Sequence, residues 1–140
     1  MVDRERVLAK LAQLDGYLSE LDALDPATRA EFAKSERKRA CERLLQISIE
    51  AVLEVCHLFF RGEKLGLPRD EDDVLSRLGE VGIFSAELVR TIRGMKGFRN
   101  ILVHEYGDVH EELVFDRLKT GREDFKRFRS EALAALNQRA

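Results

Sequence analysis

An arginine, an asparagine, a histidine and a tyrosine lie within eight residues near the end of a predicted amphipathic helix. The stretch RNILVHEY, residues 99–106, holds Arg99, Asn100, His104 and Tyr106 beside three aliphatic residues. Histidine readily accepts and returns a proton near neutral pH, and arginine offers a fixed fork of donors for a phosphate. The pairing of Arg99 with His104 therefore suits proton transfer beside a phosphate group.

The spacing of these residues divides them between faces of the helix. Each residue advances ~100° around an α-helix, so with Arg99 at zero, Tyr106 falls near ~−20° and His104 near ~140°. Ile101 and Leu102 point elsewhere and are expected to reach the core. The polar arc that includes Arg99 and His104 is expected to lie on the other side.

One copy of the helix makes a poor compact catalytic pair, because Arg99 and His104 leave it in different directions. Two copies crossing near a two-fold axis would bring two arginines and two histidines around one cleft. Gly97 leaves open the turn beneath His104, where a helical side chain leans. We therefore expect a composite site at a homodimer interface. Gly94 and Gly97 themselves fit either an interruption of the helix or a close approach by another helix or a ligand.

Metal-independent cleavage of RNA is the reaction that such a site would support. One histidine would take the proton from a ribose 2′-hydroxyl, and arginine would stabilise the charge on the phosphorane. The products would carry a 2′,3′-cyclic phosphate and a 5′-hydroxyl. The sequence shows no ligand cluster for a metal, and we expect no cofactor. A simpler alternative is that Arg99 and His104 only cap or bridge neighbouring elements.

The composition fits one soluble domain over residues 1–140. Hydrophobic residues make up 44% of the chain and charged residues 36%, which is typical of a folded, strongly patterned protein. No apolar run approaches the ~20 residues needed to cross a bilayer, and the first ten residues contain no signal-peptide stretch. We expect a cytoplasmic protein without membrane association, with Cys41 and Cys56 as small buried hydrophobes.

Helical periodicity extends over nearly the whole chain. The first helix carries an apolar stripe at alternating spacings of four and three residues: Val7, Leu11, Leu14, Leu18 and Leu21. Further helices are expected at 25–61, with a possible break or bend before residue 35, at 70–79, at 85–107, from 108 onward, and at 122–136. Ser85 is the expected N-cap of the motif helix. The predicted fold class is an all-α, up-and-down bundle of five to six helices.

The motif and its flanking helices resemble the HepT-type toxins of the HEPN domain family. Arg99, Asn100, His104 and Tyr106 match the pattern R-N-x3-H-x-Y. The leucine-striped first helix, ERLLQISIEAVLEVCHLF and MKGFRNILVHEYGDV occur in the family's order, so the resemblance covers most of the chain. It implies a HEPN-like all-α dimer, the ribonuclease toxin of a type VII-like toxin–antitoxin system. In such a toxin, paired Arg-x4-His motifs form the cleft that cuts tRNA or mRNA.

The resemblance also implies a partner and a modification. The cognate minimal nucleotidyltransferase antitoxin would transfer AMP from ATP to the hydroxyl of Tyr106. Because Tyr106 lies on the same face as Arg99 in helical geometry, an attached AMP would place a phosphate near the guanidinium and fill the cleft. The resemblance thus implies Arg99 and His104 as catalytic residues and Tyr106 as the modified one, with Asn100 in support.

Two runs rich in basic residues could contact a polyanion, although the net charge is −2. Residues 34–43 carry five basic and two acidic side chains, and residues 117–129 carry six basic and two acidic. Such runs are commonly solvated helix faces. With an RNA substrate, the first run supplies the candidate RNA-binding residues Lys34, Arg37, Lys38, Arg39 and Arg43.

Two other functions remain open at the level of the sequence. One is a non-catalytic HEPN-like module that binds a nucleotide or a partner without cutting RNA. The other is a plain helical interaction domain in which the motif only mediates dimer packing. Replacement of His104 by alanine separates the three hypotheses through toxicity and dimer formation.

Overall fold

A computed structural model of the protein describes residues 1–25, 28–104 and 111–139. These residues form α-helices and no strand, so the predicted all-α fold class is confirmed. The helices are α1 (Arg4–Leu24), α2 (Arg29–Phe32), α3 (Ser35–Gly62), α4 (Glu71–Glu80), α5 (Ala86–His104), α6 (Glu111–Thr120) and α7 (Arg122–Arg139).

The helix expected at 25–61 is divided into α2 and α3, so the possible break before residue 35 is confirmed. Lys34 has an extended backbone and is the N-cap of α3. Phe32, the last residue of α2, is fully buried, and its ring centroid lies 5.7 Å from that of Phe115 in α6. The break thus lets a short helix turn an aromatic side chain toward α6.

The long helices α1, α3, α5 and α7 form an up-and-down bundle. The N-terminal ammonium of Met1 donates a 2.7 Å hydrogen bond to the carbonyl of Gly62 at the end of α3, so α1 and α3 are antiparallel. Aromatic rings join the other helices: Phe84, just before α5, lies 5.5 Å from Phe59 of α3 and 5.9 Å from Phe128 of α7. Edge-to-face ring contacts of this kind stabilise a core beyond the area that they bury.

The stripe predicted for the first helix forms part of the core. Val7, Leu11, Leu14, Leu18 and Leu21 are all buried. The two cysteines, at positions 41 and 56, are also buried and unpaired, as expected of small hydrophobes. Among the described helices, none combines the length and the apolar character needed to cross a membrane.

The motif helix α5 begins at a cap shared with α7. The Oγ of Ser85 accepts a 3.1 Å hydrogen bond from the backbone N–H of Leu88, which confirms the predicted N-cap. The carboxylate of Glu131 in α7 accepts hydrogen bonds from the N–H and Oγ of Ser85, at 3.0 and 2.9 Å. From this anchored start, α5 runs through Gly94 and Gly97 without a break, so the helix interruption considered from the sequence is wrong.

Candidate functional site

Arg99 lies on the side of α5 that faces the bundle. Its side chain is only 16% exposed. Leu88, Ile92 and Met95 are buried, and Arg99 is the next position in their spacing of four, three and four residues. The prediction that Arg99 and His104 lie together on an arc away from the core is therefore wrong for Arg99.

One of the two aliphatic residues expected to reach the core, Ile101, departs from the prediction. Leu102 packs against the core, as expected. Ile101 is half-buried, and it does not pack on the core that the described residues form. The side of α5 that faces the core explains the difference. Leu102 follows the inward-facing Arg99 by three residues and so shares its face, whereas Ile101 follows it by two and leaves the helix on another side.

Two acceptors orient the guanidinium of Arg99. Its Nη2 donates a 2.7 Å hydrogen bond to Oε1 of Glu71, the first residue of α4. Its Nε donates a 2.9 Å hydrogen bond to Oδ1 of Asn100. Within the described part of the chain, Nη1 has no partner, so this end of the fork can still donate to a phosphate.

His104 is exposed at the end of α5 as the structure describes it. Its imidazole has no hydrogen-bond partner among residues 1–25, 28–104 and 111–139. Asn100 is exposed as well. A single chain therefore does not bring Arg99 and His104 together, in agreement with the divergence expected from their spacing. Tyr106, the expected modification site, lies outside the described residues, as does the predicted helix end at Gly107.

The first turn of α4 faces α5 with carboxylates at two successive positions. Glu71 holds Arg99, while Oδ1 of Asp72 lies 3.1 Å from Nζ of Lys96 and 3.9 Å from Nε of Arg93. The basic residues of α5 recur every three positions and so follow one side of the helix. These ion pairs dock the start of α4 against the second half of α5.

A third carboxylate, that of Asp73, points inward and fixes the same turn. The backbone N–H of Arg69 donates a 3.0 Å hydrogen bond to it, and Nε of Arg77 lies 3.4 Å away. The hydrogen bond from Arg69, followed by the charges of Arg77 and Arg69, lowers the pKa of Asp73, although burial acts in the opposite direction. Asp73 in turn donates its own backbone N–H to the N-cap carboxylate of Asp70 at 2.8 Å. Glu71 thus belongs to a helix start whose backbone is held by several hydrogen bonds.

The five candidate RNA-binding residues do not form one exposed patch. Lys34, Arg39 and Arg43 are exposed. Arg37 is half-buried, and its Nη1 donates a 3.4 Å hydrogen bond to a carbonyl at the end of α1. Lys38 is half-buried and already has an interaction partner. Three of the five side chains are thus exposed, and the other two are half-buried with partners inside the chain.

The basic side chains of the second run, residues 117–129, all have partners within the described part of the chain, five of them carboxylates. Its six basic side chains have these partners: Lys119 with Asp25, Arg122 with Asp22, Lys126 with Glu123, Arg127 with Glu87, Arg129 with Asp15, and Arg117 over the ring of Phe98. Three of the acidic partners belong to the segment 15–25. This run therefore serves to attach the C-terminal part of the chain to the bundle.

Glu71 is the site residue that the sequence analysis missed. It is covered there only by the short helix expected at 70–79. The signal that could have found its partner is the core spacing of α5, which predicts that Arg99 points inward and so needs a counter-charge. The identity of that counter-charge depends on how α4 packs, and no local pattern reports it.

A comparison with models of protein families identifies the same family as the motif. The sequence model of the family described as Ribonuclease HepT-like matches residues 12–132. The chain belongs to this family. The resemblance to HepT-type toxins inferred from Arg99, Asn100, His104 and Tyr106 is thereby confirmed, and the matched region contains all four residues.

Two named nucleases are similar to this HepT-like chain. The mRNA nuclease HepT of Shewanella oneidensis is 29% identical over 84 residues, which are 60% of this chain and 63% of that protein. The tRNA nuclease HepT of Aphanizomenon flos-aquae is 29% identical over 107 residues, which are 76% of this chain and 73% of that protein. The matched part spans less than two thirds of the Shewanella protein.

Several solved structures share the fold of this HepT-like chain. A toxin–antitoxin complex with AMP-PNP has a TM-score of 0.81 at 20% identity, over 90% of this chain and 96% of that chain. The tri-AMPylated HEPN toxin of Shewanella oneidensis in complex with MNT antitoxin has a TM-score of 0.82 at 22% identity, over 91% and 96%. YutE, a cytosolic protein of Bacillus subtilis, has a TM-score of 0.80 at 19% identity, over 98% and 92%.

Proposed function

We propose that this chain is a ribonuclease toxin that cuts RNA at a site shared by two copies. The observation that carries the proposal is the Arg-x4-His pair, with the guanidinium of Arg99 fixed by two acceptors and the imidazole of His104 exposed. Family membership and the names of two relatives, an mRNA nuclease and a tRNA nuclease, support RNA as the substrate class.

The proposed reaction uses the two side chains in different roles. The imidazole of His104 takes the proton from a ribose 2′-hydroxyl, and the 2′-oxygen then attacks the adjacent phosphorus. Arg99 donates through Nη1, which has no partner among the described residues, to the charge that develops on the phosphorane oxygens. The bond to the 5′-oxygen breaks and this oxygen takes up a proton, supplied by the imidazolium or by water, which leaves a 2′,3′-cyclic phosphate and a 5′-hydroxyl. This chemistry needs no metal ion.

A homodimer in which the α5 helices approach each other would complete the site. Gly94 and Gly97 are exposed, and a Cβ placed at either would meet nothing within 4 Å. No neighbour within the described chain therefore requires glycine at these positions. Small residues on an open helix face allow a second helix to approach closely, which supports α5 as the dimer contact.

We further propose that a nucleotidyltransferase antitoxin silences this chain by AMP transfer to Tyr106. The support is the shared fold with a HEPN toxin that is tri-AMPylated and bound to MNT antitoxin. Tyr106 follows Arg99 by seven residues, a spacing that on a continuing helix would place an attached AMP on the side of the Arg99 guanidinium. Exposed Lys34, Arg39 and Arg43 are proposed to contact RNA phosphates beyond the cleavage site.

Single-turnover cleavage of a short, unstructured RNA in EDTA tests the ribonuclease proposal. The wild-type protein should release fragments that end in a 2′,3′-cyclic phosphate, while Arg99→Ala and His104→Ala should not. An unstructured substrate is chosen because a folded RNA would itself respond to removal of magnesium. Cleavage that requires Mg²⁺, or that survives His104→Ala, contradicts the mechanism.

One observation favours a second candidate, a binding module in which Arg99 is structural. Arg99 is mostly buried and bridges α5 to α4 through Glu71, as the simpler interpretation of the motif anticipates. Under this candidate, Arg99→Ala lowers the melting temperature, and His104→Ala changes neither the fold nor toxicity in cells. Loss of toxicity in a folded His104→Ala protein decides for the ribonuclease.

A further inference from the structure

We propose that Glu71 is a positioning residue for the reaction: it holds the Arg99 guanidinium in the orientation that receives the scissile phosphate. The inference rests on the proposed ribonuclease function and adds to it a residue outside the motif. Glu71 stands 28 positions before Arg99 in the sequence, at the start of a different helix, and their side chains meet at 2.7 Å.

The contact has the features of an orienting ion pair. The side chain of Glu71 is 33% exposed and that of Arg99 is 16% exposed, so both are partly withdrawn from water. A charge-assisted hydrogen bond at this distance is stronger and more directional than one between neutral groups. Arginine loses much side-chain entropy on becoming ordered, and the fixed partner supplies that order before the substrate arrives.

Within the described part of the chain, three of the five N–H donors of Arg99 remain free. Arginine carries five N–H donors, one on Nε and two on each Nη. Nε is used by Asn100 and one donor of Nη2 by Glu71. With these two points fixed, the plane of the guanidinium is set, and the donors of Nη1 with the second donor of Nη2 remain for phosphate oxygens.

Glu71 can act in this way because its own backbone is held. It occupies the first position of α4, directly after the N-cap Asp70. The inward carboxylate of Asp73 anchors the same turn to Arg69 and Arg77. A group carried on a fixed helix start positions its partner more accurately than one on a free loop.

Glu71 affects Arg99 in two opposing ways that kinetics can separate. Its charge offsets part of the positive charge of Arg99 and so weakens binding of RNA, while its hydrogen bond orients the guanidinium for the transition state. Glu71→Gln keeps an oxygen acceptor without the charge, so it should lower KM and leave kcat within about threefold of wild type. Glu71→Ala removes both, so kcat should fall by roughly 10- to 100-fold.

Asp72→Asn is the matched control, because Asp72 is in the same turn and pairs with α5 through Lys96 instead of Arg99. It removes the two ion pairs that Asp72 makes with Lys96 and Arg93, between the same two helices, and should leave kcat unchanged. Melting temperatures and the oligomeric state are measured for all variants. If Asp72→Asn and Glu71→Ala lower kcat and the melting temperature alike, the role of Glu71 is structural and the proposal is overturned.

A second measurement reports on orientation without any activity. The ¹⁵N order parameter of Arg99 Nε should show a rigid side chain in wild type and Asp72→Asn, and a mobile one in Glu71→Ala. A rigid Arg99 in Glu71→Ala, or wild-type kcat in that variant, overturns the inference. A wild-type protein that cuts no RNA, with Arg99 still immobilised by Glu71, rejects the ribonuclease proposal and leaves the positioning contact established.

Discussion

Asn100 accepts a 2.9 Å hydrogen bond from Nε of Arg99, although the two residues are neighbours whose side chains leave α5 about 100° apart. The arginine bends around the helix to reach the amide. Asn100 is exposed, so the bond competes with water. We interpret Asn100 as a support for Arg99 that is weaker than Glu71.

Replacing Asn100 with alanine should slow RNA cleavage without abolishing it. The bond joins a charged guanidinium to a neutral, exposed amide that competes with water, so we expect a contribution of about 0.5–1.5 kcal/mol, which corresponds to roughly a two- to tenfold loss in rate. Asn100→Asp keeps the acceptor and serves as the control. Single-turnover rates measure the effect, and an Asn100→Ala protein as inactive as Arg99→Ala would indicate that Asn100 contacts the substrate itself.

Replacing Gly97 with leucine should break the proposed dimer and spare the fold. Nothing lies within 4 Å of a Cβ at this position, and leucine forms helix better than glycine by up to about 1 kcal/mol. Gly16→Leu is the matched control, because Gly16 is also exposed and open, on α1. Sedimentation and melting temperature are measured for both. A Gly97→Leu protein that stays dimeric and active contradicts the assigned interface.

AMP transfer should require Tyr106 and no other tyrosine. The chain has two tyrosines, and Tyr17 packs against the core. After incubation with the cognate antitoxin and ATP, intact mass should show AMP added to wild type and to Tyr17→Phe. Both modified proteins should then fail to cut RNA in a cleavage assay. Tyr106→Phe should gain no mass and remain active. Addition of AMP to Tyr106→Phe would place the modification elsewhere.

The ionised Asp73 should stabilise the fold above its ordinary pKa of 3.8 and lose that effect in acid. Its pKa is lowered in the folded chain, so the unfolded chain binds more protons and stability rises with pH through this range. Urea unfolding at about pH 7 and about pH 3 should show a larger gap between wild type and Asp73→Asn at the higher pH. Asp72→Asn, at an exposed neighbour, is the control. A gap that does not shrink in acid contradicts the assigned role.

Local patterns in the sequence were sufficient to predict the helices and several of their ends. The leucine stripe of α1 and the cap at Ser85 depend on residues within a few positions of each other, and both are confirmed. The predicted direction of Arg99 is wrong because the residues of the motif were assigned to the core side or the solvent side by polarity alone. The buried positions Leu88, Ile92 and Met95 define the core side of α5, and Arg99 continues their spacing.

Contacts between distant segments could not be predicted from composition. Glu71 and Arg99 are 28 residues apart, and Arg129 and Asp15 are 114 apart. A run of basic residues looks the same in sequence whether its charges face solvent or are paired across the bundle. The run at 117–129 is paired, whereas Arg39 and Arg43 in the first run are exposed.

The composite site is the central claim, and a heterodimer of two inactive variants tests it most directly. Arg99→Ala keeps His104, and His104→Ala keeps Arg99, so a mixed dimer contains one of each group on opposite chains. Co-expression with two different tags and purification through both isolates that species, and native mass checks its composition. We predict that it cuts RNA well above the level of either homodimer. A pure mixed dimer as inactive as both homodimers would contradict a site shared across the interface.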